Sequence, residues 1–190
     1  ILDNIIDTVY VMLLKNSPRA ENVYKQINEL KLSKNNIIQI NEKYKDCYVD
    51  LCEQKPHYHL YYNLVNIFKH ANQNNFNNIL VLEDDFIFDD QIKDKKIIMD
   101  LENFINKNDF NLYNLGCGFI FVNLFPSNHL KYYIGGLAHS IIYSKHARDI
   151  IIKNYEKDKC MRQSLSYHDF WLNKILDKKY FYYKPLCYQL

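Results

Sequence analysis

The sequence predicts an α/β protein, a layered sheet with helices, in a single domain over residues 1–190. Three observations predict it. Short apolar runs of strand length alternate with stretches whose apolar residues recur at helical spacing. The strand-like runs stop abruptly at Asn, Pro, Gly or acidic residues, the punctuation expected at sheet edges. Finally, 190 residues with 48% hydrophobic content can bury a core without staples.

The elements follow in order. The β-branched, apolar run Thr8–Leu14 is a first strand, and Asn16-Ser17-Pro18 supplies a turn with helix-start chemistry. A helix over 19–30 places Val23, Ile27 and Leu30 on one face, and Asn35-Asn36 separates it from a strand over 37–40. Residues 41–55 show no period and read as a loop; Pro56 suits a first helical turn, with Leu60, Leu64, Phe68 and Ala71 spaced helically behind it. The polar tract 72–78 is a loop before a buried-type strand over 79–82, which runs into Glu83-Asp84-Asp85. Ile97, Leu101, Phe104 and Ile105 mark a further helix. Strands are expected over 111–115 and 119–124, with Gly116 and Gly118 at a bend. Gly135-Gly136 forms a turn before a strand over 140–143 and a helix over 145–155. A last helix over 167–176 and a strand over 180–183 close the chain.

Composition removes several classes. With 24 Lys+Arg against 22 Asp+Glu, and only 3 Arg, the chain lacks the clustered basic face of a nucleic-acid binder. Apolar runs stop far short of the ~18 residues that span a bilayer. The five cysteines include no CxxC pair, which argues for reduced thiols and a reducing compartment, the cytoplasm. The 23 Asn, 22 Ile, 21 Lys and 17 Tyr share A/T-rich codons. They report a biased genome, as in a large DNA virus, a protist or an A/T-rich bacterium, and for a virus the compartment becomes the host cytoplasm. Ile1 is not an initiator Met, so the domain is expected to be part of a longer polypeptide.

The acidic strand end carries the chemistry. In open α/β sheets, ligands sit at the carboxyl ends of strands, where a rigid element holds carboxylates well placed for a hard divalent cation. On an extended chain Glu83 and Asp85 share one side and Asp84 faces the other. Asp85 with help from Glu83 is then the candidate metal pair, with Asp84 free for a sugar or ribose hydroxyl. A solvated acidic turn is the plain alternative. The apolar strand before the acids and Phe86-Ile87-Phe88 after them weigh against it.

The segment Leu80-Val81-Leu82-Glu83-Asp84-Asp85-Phe86 resembles the strand-plus-EDD signature of family 25 glycosyltransferases, which include lipopolysaccharide and procollagen galactosyltransferases. Other landmarks fall in the family's order. Leu14-Lys15-Asn16-Ser17-Pro18-Arg19 is similar to its "NL-x-x-S-x-x-R" start. His59 resembles its Ser-His element, with Tyr58 in place of the Ser. Asn114-Leu115-Gly116 is similar to its "x-LG" strand end, and Gly135-Gly136-Leu137-Ala138 with Tyr143-Ser144 to its glycine turn. His168-Asp169 resembles its late acidic position, and Pro185-Leu186-Cys187-Tyr188-Gln189 its closing "P-x-x-x-Q".

The resemblance implies a GT-A fold, a Rossmann-like mixed sheet flanked by helices, and metal-dependent transfer of a hexose from a UDP-sugar to a hydroxyl acceptor on a glycan or protein. It implies Mn2+ (or Mg2+) on Asp85 and Glu83, and a donor held by Leu14, Lys15, Arg19, Asp84, Gly135 and Gly136. Asp169 would be the catalytic base of an inverting reaction. Each residue has a bland counterpart: Lys15 as a surface lysine, the Gly pair as a tight turn, Asp169 as a helix N-terminal acid favoured by the dipole, and His168 as a packing residue. Two other functions compete. A magnesium phosphohydrolase or nucleotidyltransferase would want a further acidic or nucleophile motif after the first strand, and 13–18 offers none. A sugar-nucleotide-binding or scaffolding domain with weak turnover would lack a full ligand set for the metal.

Overall fold

The computed structural model describes residues 1–41, 56–116, 120–122, 127–136, 139–157 and 168–190, without the side chains of 56–59, 120–122 and 168–170. The expected loop beyond Asn41, four of the five cysteines, and the side chains of His59, His168 and Asp169 lie outside the described residues.

In the first half, strands and helices alternate as the sequence implies: β1 (Thr8–Leu14), α1 (Ala20–Leu30), β2 (Asn36–Asn41), α2 (Pro56–Gln73) and β3 (Asn78–Glu83). The second half adds β4 (Phe86–Phe88), a 3-10 turn at Asp90–Lys93, α3 (Lys95–Lys107), β5 (Leu112–Asn114), β6 (Ile120–Val122) and β7 (His129–Gly135). It closes with β8 (Ser140–Ser144), α4 (Lys145–Lys157), α5 (His168–Ile175), β9 (Lys179–Tyr182) and β10 (Cys187–Gln189).

Eight strands form one mixed sheet in the order β2-β1-β3-β8-β5-β9-β7-β6. β1 is parallel to both β2 and β3, whereas β8 is antiparallel to β3 and β5. Both faces are covered, which is why β1 and β3 read as continuous apolar runs rather than alternating ones. In β1, Val9, Val11 and Leu13 pack into a layer with Val23 and Ile27 of α1 and Leu101 and Ile105 of α3. Tyr10 and Met12, one residue out of phase, pack with Leu64 and Phe68 of α2, Ala147 and Ile151 of α4, and Trp171 and Leu172 of α5. The result is a three-layer helix–sheet–helix sandwich with a core on each side of the sheet.

Two expectations need correction. The tight turn allowed for Gly135-Gly136 does not include Gly135, which is the last residue of a seven-residue strand, β7, paired antiparallel with β6 and β9. That strand carries His129, Lys131 and an irregular burial pattern, so no period exposes it in the sequence. The acidic triplet is also not extended. β3 ends at Glu83, the chain turns at Asp84-Asp85, and β4 departs to pair with β10. The geometric reason given for separating Asp84 from Asp85 therefore fails.

Candidate functional site

The carboxyl ends of β1 and β3 lie side by side, with Met12 opposite Glu83 in the register. The strand order β2-β1-β3 makes the gap between β1 and β3 the point where successive connections diverge, the usual ligand crevice of a doubly wound sheet. Two turns meet there. After β1, Asn16 adopts a left-handed backbone (φ 62), a conformation Asn tolerates, and swings Ser17 and Arg19 toward β3. The Ser17 hydroxyl donates to Asp84 Oδ2 at 2.7 Å, and Arg19 Nη1 donates to Asp84 Oδ1 at 3.2 Å. Both Asp84 oxygens thus already accept a hydrogen bond, so Asp84 is tied to the first turn rather than standing free.

Asp85 has different surroundings. Only 7% of its surface is exposed. Its Oδ2 accepts from Gln189 Nε2 at 2.7 Å and lies 3.7 Å from Arg19 Nη1. Its Oδ1 is buried without a hydrogen-bond partner. A carboxylate oxygen removed from water and left bare is costly unless a cation completes it. This hard oxygen donor fits Mn2+ or Mg2+, which take one or two protein carboxylates and fill their remaining positions from water and substrate phosphates. Glu83, half-buried at the end of β3, is the adjacent carboxylate; its backbone N–H is fixed by His139 O at 3.0 Å. Among the described residues no group of three His, Cys, Asp or Glu side chains could hold a metal.

Leu14 and Lys15 stand at the tip of β1. Leu14 is 43% exposed despite its apolar side chain, and the Lys15 N–H bonds Asn41 O at 2.8 Å. Gly135 and Gly136 belong to a second group. Asn173 of α5 donates to Gly135 O at 2.8 Å and accepts from Gly135 N at 3.4 Å, and the two glycines line a cleft with Asn114, Tyr132 and Leu172. Asp169 lies one turn earlier on the same helix. Gly136 precedes His139 by three residues and Gly135 by four, so the chain keeps the pair within about 11–14 Å of the residue that holds Glu83. The acid turn and the glycine pair are thus neighbouring parts of one region.

Sequence reading passed over three participants. Ser17 and Gln189 were visible only as letters within family-like motifs, and the structure gives them partners in Asp84 and Asp85. Asn173 had no signal, because one Asn among 23 carries no weight.

No family model matches this sequence, and no curated protein sequence matches it. By structure it is similar to a glycosyltransferase involved in the glycosylation of the major capsid of PBCV-1. The two share 11% sequence identity, with a TM-score of 0.54 over 92% of this chain and 82% of that one. The chain has a glycosyltransferase fold.

Proposed function

We propose that this protein is a metal-dependent glycosyltransferase that moves a hexose from a UDP-sugar to a hydroxyl acceptor on a glycan or protein, with inversion. One observation carries the proposal: within a glycosyltransferase fold, the buried Asp85 carboxylate keeps one bare oxygen at the β1–β3 crevice. Asp85, with Glu83 beside it, would hold the Mn2+ or Mg2+. When bound, that cation stabilises the negative charge growing on the departing diphosphate.

The chain's own groups do the rest. Arg19 and Lys15 bring positive charge to the mouth of the crevice where the phosphates would lie. Arg19 would exchange part of its contact with Asp84 for them, leaving Asp84, still braced by Ser17, to orient the donor. Leu14 offers an apolar surface beside the donor, and Gly135 and Gly136 allow close approach of backbone. Asp169 takes the acceptor hydroxyl proton as the acceptor oxygen bonds to the anomeric carbon and the bond from that carbon to the UDP oxygen breaks.

The expected result is UDP release from a UDP-hexose in the presence of Mn2+, abolished by chelation and by Asp85→Ala, with Asp169→Asn still binding donor but not transferring. A full panel of nucleotide sugars giving neither UDP release nor a metal-dependent thermal shift would sink the reading. A second reading, a sugar-nucleotide-binding domain of weak turnover, is favoured by the lack of a three-ligand group among the described residues. It predicts a thermal shift with UDP-sugar and Mn2+ but no UDP release.

A further inference from the structure

The last strand meets the acidic turn in three ways. β10 runs antiparallel to β4 with Gln189 opposite Phe86, the residue after Asp85. The Leu190 N–H donates to the Asp85 carbonyl at 2.8 Å. The Gln189 side-chain amide donates to Asp85 Oδ2 at 2.7 Å. Nothing in the β10–β4 ladder requires that last bond, since backbone pairing alone holds the strand. What it fixes is the carboxyl group of Asp85.

That carboxyl faces two competing fates. Arg19 Nη1 bonds Asp84 at 3.2 Å and also pairs, over a longer 3.7 Å, with Asp85 Oδ2, the same oxygen that Gln189 holds. Guanidinium forks favour paired, in-plane contacts with carboxylates, so without Gln189 the Asp85 carboxylate would close on Arg19 and engage it with both oxygens. The neutral amide of Gln189 occupies the Oδ2 lone pair without neutralising it, and Oδ1 stays bare and buried.

We propose that Gln189 is a positioning residue that makes Asp85 a one-oxygen metal ligand: it holds Oδ2, limits the pairing with Arg19 to a long contact at that same oxygen, and leaves Oδ1 for the divalent cation. The proposal rests on the metal-dependent reading above. Hydrogen-bonding partners of ligating groups typically set metal affinity by about 10–100-fold.

The test uses the full chain with UDP and Mn2+, reading free Mn2+ by electron paramagnetic resonance and the melting temperature with and without metal. Gln189→Met keeps the stem and removes the donor; Gln189→Ser is read alongside in case the thioether disturbs β10. Both should bind Mn2+ about 10–100-fold more weakly, and both should lower the metal-free melting temperature, because the buried Asp85 Oδ2 loses a donor. In turnover, the Mn2+ concentration for half-maximal rate should rise while the rate at saturating Mn2+ is kept. Wild-type protein that binds Mn2+ while both Gln189 variants bind it equally well overturns the role of Gln189 alone. Wild-type protein that binds no Mn2+ overturns the metal-dependent reading, and the role of Gln189 with it.

Discussion

Gly116 shows at the scale of one residue how the site is held. A Cβ placed there would sit 1.8 Å from the Cys187 carbonyl oxygen and 2.7 Å from His139 Nε2. The residue is glycine because two backbones touch, not because the turn needs an unusual φ. The same contact seats β10, since Leu186 N and Cys187 N both donate to Leu115 O, at 2.7 and 3.2 Å. Gly116→Ala must therefore push β10 outward, and Gln189, two residues on, moves with it. The expected outcome is a loss of about 2–3 kcal/mol in urea denaturation together with weaker Mn2+ binding in the presence of UDP. Full stability in this variant would mean that β10 is not seated as described. Legibility at this scale was uneven for a physical reason. Asp85 and Arg19 stood out because apolar residues precede the acids and Arg is rare. The meaning of Gly116 and Gln189 depends on β10 returning beside β5, a contact across some seventy residues that no local pattern encodes.

Among the elements, α5 has the most exposed argument, since it carries Asp169. Its position is set from both sides: Asn173 grips Gly135, and Lys179 Nζ donates to the carbonyls of Asn173 at 3.1 Å and Leu176 at 2.6 Å, capping the helix end. Lys179 is 2% exposed, and burial pushes its pKa down to about 8, against the opposing pull of Asp177. The folded pKa lies below the unfolded value of 10.5, so between pH 8 and 10.5 the unfolded chain binds more protons. The cost of burying the charge is fully present below pH 8 and is relieved as pH rises through that window. Relative to Lys179→Met, wild-type stability should therefore improve by about 1–2 kcal/mol between pH 7.5 and 9.5. Denaturation curves of both proteins at the two pH values check this; a difference independent of pH would show that the ammonium is not buried as charge. The sequence placed α5 within a residue or so from its apolar spacing, but a lysine among 21 gives no hint that this one is inside.

For the whole molecule, the seam between β3 and β8 divides what was legible from what was not. On one side, β2-β1-β3 follow directly from alternating strands and helices. On the other, β8-β5-β9-β7-β6 depend on pairings such as Leu112 with Lys179, far apart in the chain and invisible to periodicity. The two halves meet through the five β3–β8 residue pairs and through Arg148, whose side chain is wholly buried. Its guanidinium donates to Asn72 Oδ1 at 3.0 Å, to Asn77 O at 2.9 Å, to Tyr143 O at 3.2 Å and to Phe76 O. It thus ties the loop before β3 to the end of β8. Burial lowers its pKa to about 10, so the charge persists at neutral pH, satisfied by carbonyl dipoles rather than by a direct ion pair. Arg148→Met keeps the apolar stem but strips the Phe76 and Asn77 carbonyls of their guanidinium donor. Each orphaned carbonyl costs about 1–3 kcal/mol, offset in part because no charge is then buried. We expect a net loss of about 3 kcal/mol, seen as a lower urea midpoint with unchanged slope. Trp171, the single tryptophan, sits in α5 and reports the second half, while far-UV circular dichroism reports both. Their transitions should still coincide in the variant, because the β3–β8 ladder remains. Transitions that separate would show that the buried guanidinium, and not the ladder, is what makes the two halves unfold as one.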